Sequence, residues 1–228
     1  EDQERESTAK GKSKILPISD YFSGLLAINK EIVGTAQQLS PQKVATLDMD
    51  NNLVISKKSN AKVSYKKFPS YGPFNVYWDE MDMMIASEFR DGNVPPGFEQ
   101  IRVFKEALEL LPSSVERVYH RSDSAGYQHE LMEFLESGES RFGKIEFAIS
   151  ASVTAEIRSL ARDLPAEEWK PVTFLDENGI EVVTDQEVAE VAFVPTTKNN
   201  SKSAPVFRYI VTREAVNIQY EVNDTGQL

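Results

Sequence analysis

Residues 43–54, Lys-Val-Ala-Thr-Leu-Asp-Met-Asp-Asn-Asn-Leu-Val, constrain this chain more than any other stretch. Residues 44–47 are mostly apolar and lead into two aspartates, Asp48 and Asp50, one residue apart. A strand turns successive side chains to opposite faces, so the two carboxylates share a face, roughly 7 Å apart along the chain. Two carboxylates at the end of a buried strand repel one another and lose hydration unless a cation or a proton compensates. Such a break in folding logic marks a candidate functional position. The plainer alternative is a solvated strand end, where Asp50 opens a turn into Asn51-Asn52.

The 228 residues suffice for one large domain, or for one domain with an insertion. There is no cysteine, so disulfides and thiolate metal sites are excluded. No apolar run is long enough to predict a membrane span, and the acidic start, Glu-Asp-Gln-Glu-Arg-Glu, is not that of a signal peptide. The net charge of −11 argues against a chain whose whole surface binds nucleic acid. It leaves room for a local basic strip. Lys57, Lys58, Lys62, Lys66 and Lys67 follow directly on the Asp pair and are candidate phosphate contacts.

Taken in order, residues 1–17 read as a polar arm. Gly11-Lys12-Ser13 lacks the first glycine of a phosphate loop, since Glu6 stands there. Ser19 and Asp20 can cap a helix to about Gln38, with Leu25, Leu26, Ile28, Ile32 and Val33 as its apolar stripe. A strand from Val44, a basic aromatic stretch over 65–71 and strands over 74–78 and 83–89 follow, the last two as a hairpin. Turn chemistry fills 90–97, a helix spans 98–111, a strand 115–119, a helix 127–135, a strand 142–149 and a helix 154–164. From Trp169 the chain turns β-rich, with four strands predicted over 172–175, 180–183, 188–194 and 206–212. The expected divisions are an arm over 1–17, a core over 18–164 and a β-rich insertion over 165–228.

A hairpin-led sheet with a parallel strand added after a helix resembles a ribonuclease-H-like core. Ligands of open α/β sheets gather beyond the carboxyl ends of the strands, where Asp50 and Asp123 both fall. Hard divalent ions prefer carboxylate oxygen, and two such ions can activate a water or a hydroxyl for phosphoryl transfer. In this reading Asp50 and Asp123 are ligands and Asp48 an auxiliary acid. A second reading takes Asp48 as nucleophile and Asp50 as general acid–base. There Asp48-Met49-Asp50-Asn51-Asn52-Leu53 resembles the first motif of haloacid-dehalogenase-type phosphatases, without its usual glycine after the second Asp.

Four segments occur in order: Ala45-Thr46-Leu47-Asp48-Met49-Asp50, Tyr77-Trp78, Glu88-Phe89-Arg90-Asp91-Gly92-Asn93-Val94-Pro95, and Arg121-Ser122-Asp123-Ser124-Ala125-Gly126-Tyr127. Together with Phe207-Arg208-Tyr209 they resemble the DDE transposases of bacterial insertion sequences, specifically the 1380-type group. The resemblance covers most of the chain from about Thr46 to Glu214. It implies a ribonuclease-H-like domain with a β insertion before its final helix, and cleavage and joining of DNA strands at element ends. It implies Mg²⁺ or Mn²⁺ held by Asp50 and Asp123, and a third ligand, a Glu on a helix after the insertion. Asn51-Asn52 departs from the small-residue/Thr pattern after the first catalytic Asp. Within the chain Glu214 is the last candidate for the third acid. The expectation is therefore a fragment truncated before the final helix and inactive, or nearly so, alone. The partners implied are terminal inverted repeats and target DNA, with a homodimer in the active complex and no membrane. The implied location is the bacterial cytoplasm, at the nucleoid. A third reading is a degenerate core kept for association.

Arg90 and Arg121 are further candidate phosphate contacts. His120 and His129, with no cysteine to join them, are not expected to form a zinc site. Trp78 and Trp169 are expected to pack in the interior.

Overall fold

The structure, a computed structural model, describes residues 20–193 and 207–214. The predicted arm over 1–17 lies outside them, as do the polar residues 196–203 between the last two predicted strands. The chain divides into two compact units, one up to Ser152 and one from Val153. The composition shift in the sequence predicts the boundary later, at 164/165.

The first unit is built on a five-stranded mixed sheet. Its strands are β1 (Val44–Asn51), β5 (Phe74–Trp78), β6 (Met83–Glu88), β7 (Arg117–Ser122) and β8 (Glu146–Ile149). Their order across the sheet is β6-β5-β1-β7-β8. β5 and β6 form the predicted hairpin, antiparallel to each other, and β5 is antiparallel to β1. β7 and β8 add in parallel on the other side, each reached through a helix, α2 (Gln100–Leu110) and α3 (His129–Ser137). The first helix, α1 (Asp20–Leu39), precedes β1.

Strict alternation along β1 decides what the sheet does. Ala45, Leu47 and Met49 are buried. They join Phe74, Val76, Trp78 and Val118 in one core, closed by Val33 of α1, Val103, Phe104, Ala107 and Leu108 of α2, and Leu131 and Leu135 of α3. The other face carries Thr46, Asp48 and Asp50 and is open over much of its area, with Ser87, Arg121, Glu146 and Ala148 exposed.

The predicted stripe on α1 splits between two faces. Val33 is buried, but Leu25, Ile28 and Ile32 are more than half exposed. The docked face instead uses polar anchors. Asn29 donates to the Ile85 carbonyl at 2.6 Å, and the Gln37 amide donates to the Gln42 carbonyl at 2.6 Å and to Ser114 Oγ at 2.9 Å. Among the described residues, no helix is long and apolar enough to cross a membrane.

Between β1 and β5 the chain forms a small lobe, a second sheet of β2 (Val54–Ile55), β3 (Lys62–Val63) and β4 (Pro69–Tyr71) in the order β2-β4-β3. The predicted basic aromatic stretch is thus the tip of a hairpin and its return strand. The lobe is tied to the 90–94 loop. Gly72 N–H donates to the Arg90 carbonyl, Gly92 N–H donates to the Ser70 carbonyl, and Tyr71 bridges to Asp91. Tyr71 stacks obliquely on Phe89 at 5.0 Å and donates its hydroxyl to Asn60. Gly92 has no room for a side chain, because a Cβ there would lie 2.3 Å from both the carbonyl oxygen and Oγ of Ser70. Gly92→Ala is therefore expected to lower stability by about 1–3 kcal/mol, the usual cost of overpacking. Denaturant unfolding reads this directly, and an unchanged midpoint would show that the contact between lobe and loop is loose.

The second unit holds α4 (Ala155–Asp163), capped by Thr154, whose Oγ1 accepts the Ile157 N–H at 3.2 Å. Its sheet runs β11 (Tyr209–Glu214), β10 (Glu181–Val191), β9 (Lys170–Leu175). Two predicted strands, 180–183 and 188–194, are fused in β10, and the register against β9 shifts between Val183 and Glu187. The polar Thr184-Asp185-Gln186 interruption between them is absorbed as an irregularity within one strand. Ile157, Val191 and Phe193 form this unit's small core. Trp78 and Trp169 are both buried, as expected.

Candidate functional site

The site is set by the parallel ladder between β1 and β7. Asp48 pairs with Arg121, and Met49 with Ser122. One step further, where the ladder ends, Asp50 and Asp123 are next in line. Both follow the parity of Asp48 and Arg121, so both belong to the open face. Asp50 is exposed and lies opposite Asn75 of β5. Its carboxylate has no hydrogen-bonding or ion-pair partner among the described residues.

Asp123 is held by its own turn. It caps the short 3-10 helix Ser124–Gly126, its Oδ1 accepting the Ala125 N–H at 2.9 Å. The turn is pinned from below by Gln128, whose amide donates to the carbonyls of Gly97 and Ala125, both at 2.7 Å. Gly126 is required here, since a Cβ would meet Ser122 Oγ at 2.0 Å. β7 is longer than predicted, reaching Ser122 rather than ending at Tyr119. That extension carries the strand to the foot of Asp123.

Asp48 differs from its neighbour. Arg121 grips it bidentately, Nε to Oδ1 and Nη2 to Oδ2, both at 2.5 Å. Arg121 Nη2 also reaches Asp79 Oδ1 at 3.2 Å. The hydrogen bond to Asp48, and the attraction of both carboxylates, outweigh partial burial and raise the guanidinium's pKa further. Further along the face Glu80 accepts from the Thr46 N–H at 2.7 Å and from its hydroxyl at 2.6 Å. Tyr77 donates its hydroxyl to Asp82, and this hydrogen bond raises the phenol's pKa. The sequence reading missed Asp79, Glu80 and Asp82. Their signal was the Asp79-Glu80 turn at the hairpin, whose residues fold back over the Asp48 face.

The phosphatase reading needs an Asp48 oxygen free to attack phosphorus. Each Asp48 oxygen accepts one N–H from Arg121, which leaves a lone pair open on each and lowers the carboxylate's nucleophilicity. The contact the geometry shows for Asp48 is this hold on Arg121.

Arg90 is a correction. The expected phosphate contact is fully buried. Its Nε donates to Glu88 Oε1 at 2.7 Å, its Nη1 to the Phe98 carbonyl at 2.8 Å, and its guanidinium lies 4.4 Å from the centre of the Phe74 ring. Planar, weakly hydrated guanidinium suits such a buried stacked position, but it cannot touch a ligand from there. Arg121 is half exposed, with its charge shared between Asp48 and Asp79. Lys57, Lys58, Lys62, Lys66 and Lys67 are all exposed on the lobe, and none has an ion-pair partner among the described residues.

Glu214 ends β11 in the second unit and is paired across the sheet with Gln186. It is on a strand, not on the helix that a third acid of the transposase type requires. Among the described residues, no group of three or more acids and histidines is placed to hold a metal ion. His120 is fully buried and packs edge-on against Phe104 at 4.8 Å. His129 sits on the surface of α3, with Nε2 2.9 Å from Glu133. They share no site.

No protein-family model matches the sequence, and no curated protein matches it significantly. Among solved structures the chain is similar to the Drosophila P element transposase strand transfer complex. The identity is 14%, over 75% of this chain and 41% of that one, and the TM-score is 0.30. The chain spans about two fifths of the length of that solved chain. Fold and function rest on the residues themselves.

Proposed function

We propose that the five-stranded sheet is the ribonuclease-H-like core of a DDE-type transposase and acts on DNA phosphodiesters. The observation that carries this reading is the β1–β7 register, whose next step after Met49 and Ser122 brings Asp50 and Asp123 level on the open face, at the carboxyl ends of two central parallel strands. The topology supports it: an antiparallel hairpin leads the sheet, and two parallel strands follow, each after a helix.

Two carboxylates of this kind fit a hard divalent ion, Mg²⁺ or Mn²⁺, as part of its oxygen shell. Such an ion supplies Lewis-acid activation of a hydroxyl or water and stabilises the leaving oxygen. The chain's own contribution is placement. The β7 turn fixes Asp123, and the Asp48–Arg121–Asp79 network braces the strand ends beside it. The expected substrates are the ends of a mobile element and its target DNA, handled by a homodimer at the bacterial nucleoid. A second reading, a core that binds without cutting, draws on the lack of a third acid among the described residues.

Calorimetric titration with Mg²⁺ and Mn²⁺ tests the site. Asp50→Asn and Asp123→Asn are each expected to weaken binding about tenfold or more, since each removes a charged oxygen donor. Equal affinities in wild type and both variants would remove the metal site, and the phosphoryl-transfer reading with it.

A further inference from the structure

We propose that the lobe formed by β2, β3 and β4 is a nucleic-acid grip, with the β3–β4 hairpin tip seated on the phosphodiester backbone of a duplex. Its first ground is charge. The five lysines 57, 58, 62, 66 and 67 lie within a stretch, residues 51–78, that contains no Asp or Glu. The rest of the chain carries 20 basic residues against 36 acidic ones. An island of one sign on a chain of the other is not needed for solubility, and its charge favours a polyanionic partner.

The second ground is the shape of the tip. Ser64 N–H donates to the Phe68 carbonyl and Lys67 N–H to the Ser64 carbonyl, both at 2.9 Å, closing a loop of three residues. The three are Tyr65, Lys66 and Lys67. Such loops end on a residue in the left-handed region, where glycine fits without cost. Here that residue is Lys67, with φ 67°. A long cation is held in a conformation that favours glycine or asparagine, and strain of this kind gathers where a side chain is retained for function. Tyr65 stands 61% exposed beside it, with the Lys66 ammonium 5.8 Å from its ring centre.

The third ground is position and stiffness. The lobe leaves β1 immediately after Asp50 and returns into β5 opposite it, where Asn52 N–H bonds the Pro73 carbonyl. Its bonds to the 90–94 loop keep the lysines on a fixed surface rather than on a loose arm. The choice of duplex over another polyanion rests on the phosphodiester reading of Asp50 and Asp123.

The test is binding of a fluorescently labelled DNA duplex by anisotropy in EDTA, so that metal binding does not enter. Lys66→Gln/Lys67→Gln is expected to weaken binding about tenfold at low salt and to reduce the slope of log K against log salt by up to roughly two. The exposed Lys170→Gln, in the second unit, is the control and should not change it. Lys67→Asn separates function from folding. Its unfolding midpoint is expected to be unchanged or raised, because asparagine tolerates the left-handed region, while its DNA affinity falls. DNA binding equal to wild type in both lobe variants overturns the proposal. So does loss of affinity for phosphatidylserine vesicles with DNA binding intact, which would make the lobe a membrane contact. If metal titration shows no role for Asp50 but the lobe variants still lose DNA, the catalytic reading fails and the grip stands.

Discussion

Arg90→Ala is expected to destabilise the first unit by about 3–5 kcal/mol, the range for breaking a buried ion pair by removing one partner. Three losses combine. The Phe98 carbonyl loses its donor, Glu88 loses one of two cations, and the guanidinium's place on Phe74 becomes a cavity. Burial pushes the Arg90 pKa down, and the neighbouring Glu88 offsets part of that shift, so the carboxylate compensates a cation held out of water. Arg90→Met separates packing from pairing. It fills most of the space, and Glu88 retains Arg102 at 2.5 Å, so roughly half of the alanine cost is expected. Urea unfolding at neutral pH measures both. A cost below about 1 kcal/mol for Arg90→Ala would show that this guanidinium does not hold the 88–98 segment together. DNA affinity in EDTA should not respond to Arg90 directly, because the side chain has no surface to offer.

The second large effect is a dependence on pH. His120 lies between Leu47 and Phe147 in the sheet register, and neither ring nitrogen has a hydrogen-bond partner. Burial pushes its pKa down to about 4, against a weak upward pull from Asp48. An unfolded chain takes up this proton near pH 6.5, whereas the fold refuses it until about pH 4. The stability contributed by the neutral ring is therefore complete above pH 6.5 and is lost as pH falls toward 4. The loss is about 1.4 kcal/mol per unit, or ~3 kcal/mol in all. His120→Leu should remove this part of the acid sensitivity. Carboxylates titrate alike in both proteins, so the informative quantity is the difference in unfolding free energy between them, which is expected to change by ~3 kcal/mol between pH 7 and pH 4. A difference that stays constant over that range would mean the ring is reached by water. At neutral pH the variant should be as stable as wild type or more so, since two unpaired buried nitrogens are gone.

What could be read in advance follows from how local each signal was. The period-2 alternation of 44–49 and the compact 74–89 hairpin write their own registers, and the observed strands match them closely. The strand at 146–149 is the second half of the one predicted over 142–149, and the small lobe strands were not predicted. They are two to four residues long and owe their existence to neighbours, β7 in one case and the 90–94 loop in the other. Asp50 and Asp123 were legible as strand-end acids, and the aligned register is what tertiary structure adds. Arg90 was misread because an arginine in a loop looks exposed. Only the fold shows Glu88, Phe98 and Phe74 closing around it. Asp48 is set apart from Asp50 in the sequence only as an auxiliary acid, and its pairing with Arg121, 73 residues away, is visible only in the fold.

The central place of β1 has a consequence for how the chain is made. Among the described residues β1 is the first strand in the chain, and its parallel neighbour β7 begins only at Arg117. At ordinary rates of synthesis, several seconds pass between the two, on the order of 3–13 s. Throughout that interval β1 can pair with β5 on one side only, and its other edge is bare. A bare edge with an apolar face invites pairing between nascent chains. Lys43 stands at its start, Asp48 and Asp50 interrupt its second half, and Lys57 and Lys58 follow. Charges placed in and around an unavoidable apolar strand keep it from self-association until its partner arrives. The same two aspartates thus serve the growing chain before the completed fold can put them to work.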